Sequence, residues 1–281
     1  MTEITAPTLQ MTVLSRPENI AVVRHGLAGL AEGLGAAPDL VDDIKTAVSE
    51  AVTNAVVHGY PESDGPIEVA ANVSARRLDI VVRDRGSGIQ PRPLTDDETS
   101  LRVGLALIGA LSDHFVVKGE EGSGTELRIS FDLDREMQAV EQAQPVAKAA
   151  LPGEREARIV IRSEEAGAAA LPKVLEMFVA RADLNIERLS DAQLIGDFLS
   201  SWTPDVTVDG KPLEVSIRGD DGSVEIKIGP LRPGVGEQML DSGDVAGLGN
   251  TLKQITDRAE IAEASDDAGP AEFLVLELRS D

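Results

Sequence analysis

Residues 44–60 read IKTAVSEAVTNAVVHGY and contain the pattern that decides both the fold and the chemistry of this chain. Apolar residues recur every three or four positions, which predicts an amphipathic helix packed on a sheet. Glu50 and Asn54 are four residues apart, so a helix places both side chains on one face, and His58 continues that line. A carboxamide oxygen suits Mg²⁺ and a carboxylate can deprotonate a hydroxyl. Taken alone, however, this segment is better explained as a solvated polar face.

A second segment, LDIVVRDRGSGI at 78–89, strengthens the functional interpretation. Asp84 ends a predicted strand and is followed by Gly86 and Gly88. Glycines permit positive φ and let a backbone approach a ligand closely. A buried carboxylate can accept a hydrogen bond from an exocyclic amine such as that of adenine. A turn after a strand would give the same D-x-G-x-G pattern.

Two weaker segments follow, SLRVGLALIGALSDHF at 100–115 and EGSGTELRI at 121–129. The first predicts a helix that begins near Gly104, whose free N–H groups would face phosphates. The second places Gly122, Gly124 and Thr125 before a closing strand, a combination that is usually only a turn.

The surrounding periodicity predicts the layers of the fold. Strands are expected at 9–16, 66–73, 77–84 and 124–133, and helices at about 17–34, at about 38–57 and after Gly104. Strands and helices alternate, and most strands keep one polar face. This pattern predicts an α/β fold of the two-layer α+β sandwich type, in which helices cover one face of a mixed β-sheet.

In this order, the motifs E-x-x-x-N-A-x-x-H-G, D-x-G-x-G, R-V-G-L and G-x-G-T resemble the GHKL ATPase superfamily. The likeness is greatest to RsbW-type anti-sigma factor kinases and covers about 9–133. The resemblance implies the Bergerat ATP-binding fold, with ATP and Mg²⁺ as ligands. It implies that Glu50 is the catalytic base, that Asn54 binds magnesium, and that Asp84 recognises adenine. The other nucleotide-binding candidates are His58, Gly86, Gly88, Arg102, Gly104, Gly124 and Thr125.

The sequence departs from the family pattern in the predicted lid, about 90–103. Arg102 stands where the family commonly has the first glycine of G-x-G, and Gly104 remains. Arg102 either contacts a phosphate, because guanidinium pairs well with phosphate oxygens, or is an exposed lid residue. ATP binding is therefore expected, while phosphoryl transfer stays open. His58 is better explained as a polar contact at the helix end than as a catalyst.

The chain is expected to hold two domains, an ATP-binding domain at 1–135 and a degenerate copy at 157–281, joined by a linker at 136–156. Segments of the first half recur in order in the second, for example RLDIVVRDRGSGI and SVEIKIGPLRPGV. This order predicts an internal duplication. Phe198, Trp202 and Pro230 then fall near Glu50, Asn54 and Asp84, and Ala271-Glu272 replaces the closing Gly-Thr. The second copy should be a pseudo-ATPase domain, because these replacements offer neither the amide oxygen nor the carboxylate.

Composition excludes several classes of function. The chain has no cysteine, which excludes disulfides and thiolate metal sites. Its formal net charge of −23 opposes binding to nucleic acid and to anionic membranes. The three histidines lack the spacing of a zinc site. No signal peptide or membrane-spanning stretch is visible, and a cytoplasmic location is expected.

The leading functional prediction is a serine/threonine protein kinase that phosphorylates an anti-anti-sigma (STAS) partner and holds a sigma factor in check. The tandem domains are expected to act as an intramolecular pseudo-dimer, which would leave the chain monomeric. The alternative is a nucleotide-gated module that sequesters a partner without phosphorylating it. A third possibility is an ATPase that transfers the phosphoryl group to water.

Overall fold

The computed structural model describes residues 7–60, 63–74, 76–88, 96–119, 122–133, 152–162, 164–200, 206–208, 211–241, 251–266 and 269–280. Within 96–103 the description covers the backbone only. The chain divides into two compact units, Met1–Glu154 (unit 1) and Arg155–Asp281 (unit 2). Each unit has its own strands and helices.

Unit 1 alternates strands with helices. Its elements are β1 Leu9–Leu14, α1 Pro17–Gly33, α2 Pro38–Asn54, β2 Pro66–Ser74, β3 Arg77–Asp84, α3 Asp96–Leu111, β4 His114–Gly119 and β5 Thr125–Asp132. A single π-helical turn, Ala55–Gly59, continues α2. The strands lie in the order β4-β5-β3-β2-β1. The predicted strands and the first two helices are therefore present, within a few residues of their expected bounds.

Local sequence explains these elements. Proline opens both α1 and α2, where the missing N–H has no intrahelical partner to lose. Burial alternates along β1, β2 and β3, so each strand has one face in the core and one toward solvent. The core side chains buried most completely include Met11, Ile67, Ile80 and Phe131 from the sheet and Leu27, Leu30, Ile44 and Ile108 from the helices. The two-layer α/β sandwich is confirmed.

The sheet differs from the prediction in one respect. A mixed sheet was expected, but the described strand pairs of unit 1 are all antiparallel. The reason is that β1 and β2 are separated by two helices rather than one. A single helix would carry the chain to the opposite end of the sheet and give a parallel pair, whereas two return it to the end it left.

The predicted start of α3 is wrong. Instead of beginning near Gly104, the helix begins at Asp96, and Gly104 lies in its interior. The segment 96–98 reads DDE, and acidic residues in a first turn stabilise the positive end of a helix. Of the predicted lid at 90–103, residues 90–95 lie outside the described residues and 96–103 are helical. Gly104 therefore offers no free N–H group at a helix start.

Two smaller differences concern α2 and β4. The helix predicted over 38–57 is α-helical only to Asn54, after which it continues as the π turn. The six residues of β4 were not predicted as a strand. Most of them are exposed, so the strand lacks the alternation of buried and exposed positions that marks the others.

Unit 2 has a similar sequence of elements. They are β6 Glu156–Ile161, α4 Glu164–Arg181, α5 Ile186–Ser200, β7 Leu213–Asp220, β8 Ser223–Leu231, α6 Val235–Asp241, α7 Thr251–Ile255, β9 Arg258–Asp266 and β10 Gly269–Arg279. The strands lie in the order β6-β7-β8-β10-β9, which repeats the order β1-β2-β3-β5-β4 of unit 1. Most of the predicted linker, 136–151, lies outside the described residues. Among the helices described, none is both long and apolar enough to cross a membrane.

Candidate functional site

Asp84, the last residue of β3, is the centre of the candidate site. Its side chain is buried, with 4% relative exposure of the residue. The Oδ1 atom accepts hydrogen bonds from the backbone N–H of Gly86, at 3.0 Å, and of Thr125, at 3.2 Å. One carboxylate therefore joins the loop after β3 to the first residue of β5.

The environment of this carboxylate shifts its proton affinity. Burial raises the pKa of Asp84, and the hydrogen bonds from Gly86 and Thr125 oppose that rise without cancelling it. Desolvation is thus only partly offset by the protein. A carboxylate in this state gains from a ligand that donates a further hydrogen bond, as an exocyclic amine does.

The glycines around Asp84 allow backbone segments to approach one another. A Cβ atom on Gly86 would lie 1.7 Å from the carbonyl oxygen of Gly59, in the π turn. A Cβ on Gly124, which has φ of +77°, would lie 2.2 Å from the carbonyl oxygen of Asp84. Gly88 has φ of +70°. Gly86 is therefore needed for packing within the protein, whereas the sequence had suggested positive φ or close approach to a ligand.

Ser87 connects the segments that meet at the site, and sequence reasoning missed it. Its N–H donates to the Gly59 carbonyl at 2.8 Å, and its hydroxyl donates to the His58 carbonyl at 3.0 Å. Its own carbonyl accepts from Gly122 N–H at 2.9 Å, in the turn between β4 and β5. In these bonds His58 takes part through its backbone. A hydroxyl inside D-x-G-x-G was the only local signal for this role.

Glu50 and Asn54 face the same point on α3. A Cβ atom on Gly104 would lie 2.8 Å from Glu50 Oε2 and 3.5 Å from Asn54 Oδ1. The structure thus brings together a carboxylate, a carboxamide and a glycine whose lack of a side chain makes room for them. Asn54 Nδ2 is buried and has no hydrogen-bond partner within the described part of the chain. A buried amide in this condition fits a polar ligand, because such groups are otherwise almost always paired.

Comparison with known proteins agrees with this geometry. Residues 13–131 match the family described as histidine kinase-like ATPase domain. The anti-sigma F factor of Clostridium acetobutylicum is 33% identical over 127 residues, which are 42% of this chain and 89% of that protein. The anti-sigma F factor of Thermoanaerobacter sp. (strain X514) is 32% identical over 130 residues, 43% of this chain and 91% of that protein. The serine-protein kinase RsbW of Bacillus cereus (strain AH820) is 32% identical over 126 residues, 41% and 79% of the two chains.

The chain belongs to the histidine kinase-like ATPase domain family. Membership confirms the resemblance that the four motifs predicted, and it implies that unit 1 is an ATP-binding domain. The matched residues end at 131, so unit 2 lies beyond the family match.

Two candidates of this ATPase domain remain, Thr125 and Arg102. Thr125 is placed at Asp84 and also lowers its pKa through the side-chain hydroxyl. Arg102 lies in α3, but its side chain is outside the description, so both alternatives for it remain predictions.

No group of three or more His, Asp or Glu residues able to hold a metal ion occurs in the portions of the chain described. A cation shared between one protein oxygen and phosphates needs no such group.

At the positions that the predicted duplication aligns with the site, unit 2 has different residues. Pro230 lies near the end of β8, as Asp84 does in β3, and Phe198 lies in α5. Trp202 lies outside the described residues. Glu272 of β10 accepts hydrogen bonds from Gly234 N–H at 2.6 Å and from Gly236 N–H at 2.9 Å. Two backbone donors at the start of α6 are therefore already bound to a carboxylate of the protein itself.

Proposed function

We propose that this chain is a serine/threonine protein kinase of the anti-sigma type, which transfers the γ-phosphoryl group of ATP to an anti-anti-sigma (STAS) partner. The observation that carries the proposal is the convergence of Glu50 and Asn54 on Gly104, in the unit where Asp84 is buried. The names of the relatives, anti-sigma F factor and serine-protein kinase RsbW, support the choice of substrate class.

Each residue has a distinct part in this proposal. The Asp84 carboxylate accepts a hydrogen bond from the adenine amine, and Asn54 holds Mg²⁺ through its amide oxygen. The ion supplies neutralisation of charge on the phosphates. Glu50 accepts the proton of the partner's serine or threonine hydroxyl. At the same time the hydroxyl oxygen of the partner bonds to the γ-phosphorus, and ADP leaves. Orientation and charge neutralisation provide most of the rate enhancement.

Further parts of the proposal concern unit 2, the sigma factor, the location and the oligomeric state. Unit 2 is a pseudo-ATPase domain that binds no nucleotide, since Pro230 offers no carboxylate and Glu272 binds the N–H groups of Gly234 and Gly236 at the start of α6. The kinase holds a sigma factor when the STAS partner is phosphorylated. It works in the cytoplasm, as a monomer.

The test is phosphoryl transfer to a purified STAS partner from γ-labelled ATP. We expect label on a partner serine or threonine with the unmodified chain, and a loss of about 100-fold or more in Glu50→Gln. Glu32→Gln is the matched control, because Glu32 is exposed at the end of α1 and distant in sequence from the motifs. ATP binding should survive in both variants.

Two outcomes would overturn the kinase assignment. Release of free phosphate without label on the partner would identify an ATP hydrolase. Retained ATP binding with neither product would identify a nucleotide-gated module that sequesters its partner.

A further inference from the structure

Tyr60 lies between the π turn and the start of β2, and its side chain is half-buried. The hydroxyl donates a hydrogen bond to the Pro66 carbonyl at 2.8 Å and accepts one from Arg85 N–H at 2.8 Å. The ring packs over Gly65, where a Cβ atom would lie 2.0 Å from its Cε1 atom. The position of the ring and the direction of the hydroxyl are therefore both fixed.

The hydrogen bond to Arg85 acts directly beside the carboxylate of the site. The Arg85 N–H belongs to the peptide group that joins Asp84 to Arg85. The next N–H along the chain, that of Gly86, donates to Asp84 Oδ1. Asp84 thus forms a side-chain turn with the residue two positions on, and Tyr60 holds the peptide group in the middle of that turn.

We propose that Tyr60 is a positioning residue for ATP, which fixes the Asp84–Arg85 peptide group and so the direction in which the Asp84 carboxylate meets the nucleotide. The inference rests on the proposed ATP site of unit 1. Tyr60 acts through Asp84, so it has no part in the proton transfer assigned to Glu50.

The surroundings of the Tyr60 hydroxyl distinguish a role in positioning Asp84 from a role in stabilising the fold. Arg85 is exposed, so water can replace the hydroxyl as the acceptor of its N–H when the phenol oxygen is removed. Water restores the hydrogen bond without restoring the direction that a fixed hydroxyl imposes. Loss of the hydroxyl should therefore affect ligand binding more than the stability of unit 1.

The shifts in the pKa of Tyr60 agree with its position close to Asp84. Burial raises the pKa of Tyr60, its hydrogen bond from Arg85 N–H lowers it, and the negative charge of Asp84 raises it further. Tyr60 is also the single tyrosine of the chain. Any spectroscopic signal from a tyrosine ring in the intact protein consequently reports on this position.

The first experiment compares Tyr60→Phe with Thr8→Val by calorimetry with Mg-ATP. Thr8→Val removes a buried hydroxyl that accepts from Val73 N–H, at 3.1 Å, away from the loop that follows β3. We expect Tyr60→Phe to weaken ATP binding about three- to tenfold, the effect of one misplaced hydrogen bond. Phosphorylation of the partner at saturating ATP should stay near the unmodified rate. Thr8→Val should bind ATP as the unmodified chain does, whatever its melting temperature.

Equal ATP affinity in Tyr60→Phe and the unmodified chain would overturn the positioning role and leave the proposed function intact. Absence of ATP binding by the unmodified chain would instead overturn the proposed function, and the inference with it. A second measurement needs no variant. With ring-labelled tyrosine, the intact chain should give one set of tyrosine ring resonances that shifts on addition of Mg-ATP. Unshifted resonances in a sample that binds ATP would also overturn the inference.

Discussion

Asp84 illustrates how a single residue serves the site at a cost to the fold. Its carboxylate lies out of water, and two backbone N–H groups compensate for only part of the lost hydration, because burial raises its pKa despite them. The folded chain therefore holds this proton to a higher pH than the unfolded chain. Stability should fall as the pH rises from the ordinary aspartate pKa through the raised value in the folded state.

Replacement of the Asp84 carboxylate by a neutral isostere tests whether its ionisation lowers the stability of the fold. In Asp84→Asn the amide oxygen can still accept from Gly86 and Thr125, and the ionisation disappears. We expect the variant to melt at the same or a higher temperature than the unmodified chain at about pH 7.5, with the difference shrinking as the pH falls toward the ordinary aspartate pKa. Thermal denaturation across this range is the measurement. A variant that melts lower at the upper pH would show that the ionised carboxylate stabilises the fold.

Adding one carbon atom at Gly104 tests the placement of the Glu50 carboxylate. A Cβ there meets the end of the flexible Glu50 side chain at 2.8 Å, so Gly104→Ala should displace the carboxylate without disturbing α3. Helix propensity would add up to about 1 kcal/mol of stability. We expect partner phosphorylation to fall about tenfold, with a smaller effect on ATP binding.

The matched control for this change is Gly109→Ala in the same helix, whose Cβ would meet the Phe115 ring instead. Phosphoryl transfer should be nearly unchanged in that control. Equal rates in the two variants, measured at saturating ATP, would contradict the placement of Glu50 beside Gly104.

At the scale of elements, the site depends on contact between the π turn and the loop after β3. The Gly59 carbonyl oxygen that Gly86 approaches is also bound by Ser87 N–H at 2.8 Å. It therefore cannot move away from an added methyl group without losing this hydrogen bond. A π turn at the end of α2 places that carbonyl, and such turns are frequent at functional sites.

Gly86→Ala should accordingly be severely destabilising. We expect a loss of about 3 kcal/mol or more in the free energy of unfolding, because a backbone atom lies 1.7 Å from the new Cβ. Gly122→Ala is the control, since its φ of +76° is strained for alanine but nothing lies within 4 Å. It should cost about 1–2 kcal/mol. Urea denaturation of both variants gives the comparison, and similar losses would contradict the packing role of Gly86.

Local periodicity was sufficient to predict most elements of unit 1. Strands β2 and β3 alternate cleanly, and prolines mark the starts of α1 and α2. Helical spacing predicted that Glu50 and Asn54 share one face, whereas their assignment to a site came from the resemblance of the combined motifs to the GHKL superfamily. Prediction failed for β4, which is exposed along most of its length, and for the first half of α3, which was assigned to a lid.

Residues that act through long-range contacts could not be predicted in the same way. Ser87 bonds to a residue 29 positions earlier, and Tyr60 to one 25 positions later. Contacts at these sequence separations produce no periodic pattern from which they could be predicted. Gly86 was identified correctly as a constrained position, but its partner, Gly59, was visible only in the folded chain.

For the whole molecule, the two units share one order of strands. This agreement supports the prediction of an internal duplication, and we propose that only unit 1 binds a nucleotide. We expect the chain to behave as a monomer, with a mass near 29.7 kDa by light scattering. A mass near twice that value, independent of ATP, would contradict the proposal that the tandem chain needs no second copy.

Whether unit 1 holds a single nucleotide site built around Asp84 is decided by calorimetric titration of the unmodified chain and of Asp84→Asn with Mg-ATP. We expect one ATP per chain, and binding about 10- to 100-fold weaker in the variant, because an uncharged amide replaces a charged acceptor in a buried hydrogen bond. The variant should remain folded in the same buffer. Undiminished affinity in Asp84→Asn, or two ATP molecules per chain, would contradict the assignment of a single nucleotide site built around Asp84.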